Sequence, residues 1–261
     1  KGGRIVTPQN LEESYLDSAV ANILRLKFNM GLFENPYVSP EKAKKEVRSK
    51  KHKEIALQVA REGIVLLKND GILPLNKTIK SIAIIGPNAD KAYNQLGDYT
   101  AFQDQEEIIT PLEGIKKAVS LETKINYVKG CSIRDTINHD IQSSIKAVEE
   151  SDVAIVFVGG SSARDFETQY IETGAAKVNT QTILSDMDCG EGFDRATLKL
   201  LGKQNELLQS IAKTGKPFIV VYIQGRPLNM NFSSEKANAL LTAWYPGEEG
   251  GNAIADILFG D

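Results

Sequence analysis

Apolar residues in this chain keep two rhythms. Five short runs are almost continuously apolar: Ser81-Ile-Ala-Ile-Ile-Gly86, Lys124-Ile-Asn-Tyr-Val-Lys129, Val153-Ala-Ile-Val-Phe-Val158, Pro217-Phe-Ile-Val-Val-Tyr-Ile223 and Ala239-Leu-Leu-Thr-Ala-Trp244. Runs of this length, rich in β-branched side chains, predict strands buried on both faces. Between them, helical spacing predicts helices near residues 111–119, 139–150, 198–213 and 250–258. Such alternation predicts a three-layer α/β/α sandwich around a mostly parallel five- or six-stranded sheet.

The first part of the chain differs. Residues 11–28 place Leu16, Ala19, Ile23 and Leu26 on one helical face, and Gly31-Leu-Phe-Glu-Asn-Pro36 then stops the helix and starts a linker. A second helix is expected over about 40–62, with Ser39 as cap and Pro40 in the first turn. It runs into Gly63-Ile-Val-Leu-Leu-Lys68, and Asn69-Asp70-Gly71 supplies turn chemistry. The first helix has an apolar stripe but no neighbouring elements to cover it.

In a parallel sheet, ligands gather beyond the carboxyl ends of the strands. The segments leaving those ends are Gly86-Pro-Asn-Ala-Asp90 with Leu96-Gly-Asp-Tyr-Thr100, Gly130-Cys131, Gly159 to Arg195, Gln224-Gly-Arg-Pro227 and Tyr245-Pro-Gly247. Asp98, Arg164, Asp165, Glu191, Asp194, Arg195 and Arg226 therefore share one edge. The segment from Gly159 is a long polar excursion, where connections usually have ~4–6 residues. It ends in Gly190-Glu191-Gly192, a carboxylate between two glycines.

Composition narrows the chemistry. With 31 basic and 34 acidic residues and a net charge of -3, the chain offers no polyanion-binding surface, so nucleic acid is not an expected partner. The basic stretch Lys42–Lys53 is interrupted by Glu46 and flanked by Glu41 and Glu54, the pattern of a solvated helix face. No apolar stretch nears the ~20 residues that span a bilayer, so no membrane association is expected. Phosphate-cradling glycine motifs are absent, and in Gly247-Glu-Glu-Gly-Gly251 the glutamates would repel an anion, leaving helix-start packing as its role. His52 and His139 have no companion at metal-ligand spacing, so neither metal nor cofactor is expected, and no G-x-S-x-G elbow supports a serine triad.

Carboxylate chemistry remains, with Glu191 the best-placed residue and Phe193 nearby to flank a sugar-like ring. A glutamate on a polar loop equally reads as a solvated side chain, and the residues alone leave both readings open. The adjacent Asp194-Arg195 pair is expected to anchor the loop by a salt bridge. Cys131 and Cys189 could form a bridge or stay as free thiols.

Cys189-Gly-Glu-Gly-Phe-Asp-Arg195 followed by Leu198, Leu200 and Gly202-Lys-Gln204 resembles glycoside hydrolase family 3, the β-glucosidase and β-xylosidase family. Further blocks agree in order: Leu24-Arg-Leu-Lys-Phe28, Gly31 to Pro36, Ala60-Arg-Glu-Gly-Ile-Val-Leu-Leu-Lys-Asn69, Leu73-Pro-Leu75, Ile84-Ile-Gly-Pro-Asn-Ala-Asp90, Gly97-Asp-Tyr99, Gly225-Arg-Pro227 and Trp244-Tyr-Pro-Gly-Glu-Glu-Gly-Gly251. The resemblance implies that residues 1–38 are the last helix of an N-terminal (β/α)8 barrel plus a linker, and 39–261 an α/β sandwich domain. It implies Glu191 as general acid/base, with Phe193, Tyr99 and Asp98 near the substrate; Arg164, on the same edge, joins them as a binding candidate.

Nothing in the chain resembles the family's nucleophile block, which belongs to the barrel. The expectation is therefore a fragment of a retaining exo-acting β-glycosidase, acting on terminal β-linked glucosyl or xylosyl residues of oligosaccharides and β-glycosides, and inactive alone. The alternative is a non-catalytic carbohydrate-binding or scaffolding domain of the same fold. The family resemblance also implies a periplasmic or secreted protein.

Overall fold

The structure, a computed structural model, describes residues 12–100, 103–162, 186–190 and 194–261. The chain divides into two compact units, Lys1–His52 and Lys53–Asp261. In the first, helix α1 (Glu13–Asn29) ends where Gly31 takes φ 66°, and its apolar residues Leu16, Ile23 and Leu26 stay exposed. Helix α2 (Pro40–Glu46) begins as expected, with the Ser39 hydroxyl accepting from the Lys42 amide.

The single helix expected over 40–62 is instead two. Val47 is extended and Arg48 takes φ 57° before helix α3 (Lys50–Gly63) starts. Residues 47–49 include neither glycine nor proline, so local composition carries no breaker signal.

In the second unit the strands are β1 (Val65–Asn69), β2 (Ser81–Ile85), β3 (Lys124–Val128), β4 (Val153–Gly159), β5 (Phe218–Ile223) and β6 (Ala239–Trp244), in the spatial order β1-β6-β5-β4-β2-β3. All neighbours from β6 to β3 run parallel, and β1 closes the far edge antiparallel to β6, with Val65 opposite Thr242. The five parallel strands are those the apolar runs predict. β1 is additional, formed from the run that follows α3.

Alternate residues of β2, β4, β5 and β6 feed two cores, while β1 and the edge strand β3 hold no buried residue. Ile82, Ile84, Ile155, Phe157, Ile219 and Val221 pack into one, beside helices α4 (Pro111–Ala118) and α8 (Gly250–Phe259). Ala83, Ile85, Val156, Val158, Val220 and Tyr222 pack into the other, beside helices α5 (Ile141–Glu149) and α6 (Gln204–Lys213). A short helix α7 (Asn231–Lys236) precedes β6. Each buried Ile, Val or Phe contributes about 1.5–3 kcal/mol, so the centre of the sheet is a rigid platform for the loops at its carboxyl ends.

Helix-start packing is the role found for the glycines near 250. A Cβ on Gly251 would lie 2.0 Å from the Thr110 carbonyl oxygen, and one on Gly114 would lie 2.0 Å from that of Gly251. Helix α6 starts at Gln204 rather than near 198. Gly202 has φ 59° and a Cβ there would sit 2.7 Å from the Ile133 carbonyl oxygen, so the chain is turned sharply before the helix opens.

Candidate functional site

Because β2 to β6 are parallel, the loops leaving their carboxyl ends meet along one edge. Buried amides knit these exits together. The Asn88 Nδ2 amide donates to the carbonyls of Gly160 and Ile223, at 3.4 and 3.3 Å, and its Oδ1 accepts from Asn94 at 2.8 Å. Gln204, fully buried at the start of α6, accepts from the Gly159 amide at 2.8 Å and donates to the Gly159 carbonyl at 3.0 Å. Gln224 donates to Thr242 Oγ1 at 3.1 Å and accepts from the Leu228 amide at 3.2 Å. These bonds satisfy backbone groups where the sheet ladder ends, a requirement for any buried loop.

The long excursion after β4 begins and ends at one place. Ser161 and Asp188 exchange two bonds: the Asp188 amide donates to the Ser161 carbonyl, and the Ser161 amide to Asp188 Oδ1, both at 2.8 Å. Asp186 Oδ1 accepts from the Ile133 amide at 2.9 Å, and Arg134 Nη1 donates to the Met187 carbonyl at 3.1 Å, which ties the returning strand to the β3 exit. The other carboxylate oxygen of Asp188 receives Arg195 Nη1 at 2.7 Å, in a pair whose side chains are 0% and 3% exposed.

The guanidinium has further partners. Arg195 Nε donates to the Thr197 carbonyl at 2.8 Å and Nη2 to the Lys199 carbonyl. Asp194 turns instead to Arg226 on the β5 exit, with Nη1 2.6 Å from its Oδ1. Its carboxyl is held below the usual aspartate range, first by the Arg195 amide and then by Arg226. The expected salt bridge within the Asp194-Arg195 pair is thus corrected: adjacent side chains diverge, and each reaches a partner on a different segment.

A single ring organises the rest of the edge. A Cβ on Gly225 would lie 2.5 Å from the Tyr245 hydroxyl, and one on Gly97 would lie 3.3 Å from Tyr245 Cδ2. The ring is wedged between the β2 and β5 exits, while its hydroxyl stands 3.7 Å from Cys189 Sγ. Burial pushes the Tyr245 phenol and the Cys189 thiol upward, and for the thiol Asp188 adds to the effect. Both cysteines are free and buried, so no bridge forms between Cys131 and Cys189.

Asp98 comes to the glycine-flanked loop. At Gly190 a Cβ would lie 2.8 Å from Asp98 Oδ2 and 2.6 Å from Met187 Cε, both ends of movable side chains, and the backbone φ of 138° is one that residues with a side chain rarely adopt. Tyr99 is 82% exposed. Of the sequence-identified site residues, Asp98 and Tyr99 are described and stand on this edge; Glu191, Phe193 and Arg164 lie outside the described residues. Asp188, Gln204 and Tyr245 were not singled out as site residues. The glycines opposite Tyr245 were a usable signal, since two separate exits each carry one. Among the described residues no three His, Cys, Asp or Glu side chains gather at metal-binding range, and no helix is long and apolar enough to cross a membrane.

Residues 64–261 match the model of the glycosyl hydrolase family 3 C-terminal domain. The chain is similar to a β-xylosidase of Formosa agariphila, with 38% identity over 95% of this chain and 32% of that protein. It is also similar to a periplasmic β-glucosidase of Salmonella typhimurium, with 32% identity over 94% of this chain and 32% of that protein. Among solved structures, a β-glucosidase of Listeria innocua in complex with isofagomine superposes with a TM-score of 0.75 at 29% identity, covering 97% of this chain and 31% of that one. The chain spans about a third of the length of these relatives.

Proposed function

This chain belongs to glycosyl hydrolase family 3, and we propose that it is the acid/base half of a retaining exo-acting β-glycosidase. In this reading residues 1–38 are the last helix of a (β/α)8 barrel with its linker, and 39–261 the sandwich that completes the active site. Glu191 is the general acid/base, while Phe193, Tyr99, Asp98 and Arg164 contact the substrate, a terminal β-linked glucosyl or xylosyl residue of an oligosaccharide or other β-glycoside. The nucleophile belongs to the barrel, so the 261-residue chain alone is inactive. The periplasmic relative supports a periplasmic or secreted location.

The observation that carries this reading is the anchoring of Asp188 and Arg195, on either side of residue 191, to each other at the strand-end edge. Asp188 contributes a buried carboxylate, Gly190 lies against Asp98, and Arg195 contributes a buried guanidinium. That arrangement suits a short segment that must present one carboxyl group outward. A retaining glycosidase needs two carboxyls about 5–5.5 Å apart, one to attack the anomeric carbon and one to protonate the leaving oxygen and then activate water. The proton passes from the Glu191 carboxyl to the departing oxygen as that bond breaks. The resulting carboxylate then takes a proton from the water that releases the sugar.

The test is Glu191→Gln in the full-length enzyme that carries this chain. Turnover should fall about 10²–10⁴-fold for substrates with poor leaving groups, far less for activated aryl glycosides, and added azide should recover rate with the activated ones in Glu191→Ala. Equal losses across substrates with no azide recovery would remove Glu191 from the role. Sugar affinity in the 261-residue chain by itself would favour the carbohydrate-binding alternative.

A further inference from the structure

We propose that Asp188 and Arg195 form a positioning pair, which seats the segment between them and so sets where the residue 191 carboxyl stands; this rests on the acid/base reading above. The pair bridges the two ends of that segment. Its charges are withdrawn from water. Asp188 accepts from the Ser161 amide and from Arg195, while Arg195 Nε and Nη2 donate to the Thr197 and Lys199 carbonyls. Even the space is reserved, because a Cβ on Gly160 would lie 2.6 Å from Asp188 Oδ1.

A buried ion pair adds little net stability over a well-packed apolar pair of the same volume, whereas losing one partner strands the other charge. What such a pair supplies is geometry. The fork of Arg195 connects the incoming end of the segment, at Asp188, to its outgoing end, at 197–199, in one rigid plane. The Asp194–Arg226 pair is the contrast: Asp194 is 74% exposed, and pairs of that kind hold little. Lysine at 195 would keep the charge but not the three-way reach.

Cys189 makes the seating measurable, since its thiol is buried directly after Asp188, and the equally buried Cys131 serves as an internal control. The experiment follows N-ethylmaleimide modification of each cysteine by peptide mass in the 261-residue chain, for the wild type, Asp188→Asn, Arg195→Lys and Asp194→Asn. Local release should speed Cys189 about tenfold or more in Arg195→Lys, which keeps the charge beside Asp188, leave Cys131 at its wild-type rate, and leave Asp194→Asn unchanged. Asp188→Asn should speed Cys189 as well, partly because removing the Asp188 charge lowers the thiol pKa. An unchanged Cys189 overturns the proposal. So does acceleration of Cys131 and Cys189 together, which is the result a failing fold would give.

The catalytic arm uses the full-length enzyme. Asp188→Asn and Arg195→Lys should lose kcat most with poor leaving groups while keeping the wild-type affinity for a sugar-mimicking inhibitor such as isofagomine. Equal loss with all leaving groups would make the pair a structural staple only. If Glu191→Gln turns over like the wild type while Cys189 still becomes reactive in Arg195→Lys, the acid/base reading fails and the seating stands.

Discussion

Replacing Gln204 by Met isolates the bonds on which the β4 exit depends. The side chain is 0% exposed, so no water can replace its amide. Oε1 accepts from the Gly159 amide at 2.8 Å, and Nε2 donates to the carbonyls of Gly159 at 3.0 Å and Ile133 at 3.3 Å. Met fills nearly the same volume, which keeps the packing loss small. What changes is that both polar groups of Gly159 lose this partner in a dry interior. At ~1–3 kcal/mol for each of the two buried groups left unsatisfied, the expected loss is about 2–6 kcal/mol.

Urea unfolding followed by far-ultraviolet circular dichroism measures that loss. With a slope of about 2–3 kcal/mol per molar, the midpoint should fall by about 0.7–3 M. Gln204→Glu adds a check on sign. The variant keeps an acceptor for the Gly159 amide but buries a carboxyl, whose folded pKa should rise above the unfolded ~4.3. Its stability should therefore come closest to the wild type below that value and fall away as pH rises through the folded one. A Met variant with its midpoint within ~0.2 M of the wild type would refute the reasoning, because Gly159 would then have no need of the amide.

Gly251→Ala should cost about 3 kcal/mol or more, since its Cβ meets backbone oxygens of Thr110 and Ile109 at 2.0 and 2.5 Å and neither is a movable side chain; a thermal midpoint like that of the wild type would contradict the α4–α8 contact. Burial pushes the Cys131 thiol up from 9.0 to about 12. A raised folded pKa means that its contribution is complete below pH 9 and is lost as pH rises toward 12. Stability of Cys131→Ala should thus decline less steeply than that of the wild type between pH 9 and 11, and parallel curves would exclude the thiol as the cause.

Much of the sheet could be read from the chain. The runs from Ser81, Val153, Pro217 and Ala239 became β2, β4, β5 and β6, because strands buried on both faces need apolar residues at consecutive positions, whereas the run from Lys124 became β3, an edge strand whose residues stay exposed or half-buried. β1 could not be read in the same way. Its Val-Leu-Leu run follows a helix without a break, and its strand character comes from pairing with β6, more than 170 residues later. Likewise, the break between α2 and α3 at Arg48 and the late start of α6 after Gly202 are decided by backbone turns rather than by apolar spacing.

At the candidate site, motif order located the edge and the glycine-flanked loop but misjudged who holds whom. Adjacent Asp194 and Arg195 looked like a pair, yet each side chain reaches a partner on another segment. Asp188 and Arg226 collect them instead.

The sequence by itself determined the class of fold, the edge where the loops gather and the family to which the chain belongs, since periodicity and ordered motifs are local properties. Only the tertiary structure decided that Asp98 meets Gly190, that Tyr245 wedges between Gly97 and Gly225, and that Asp188 closes on Arg195. Those contacts join residues carried by different strand exits or by the two ends of one loop. Their partners are chosen by burial and by the demand that every buried polar group find a mate, which no local pattern encodes.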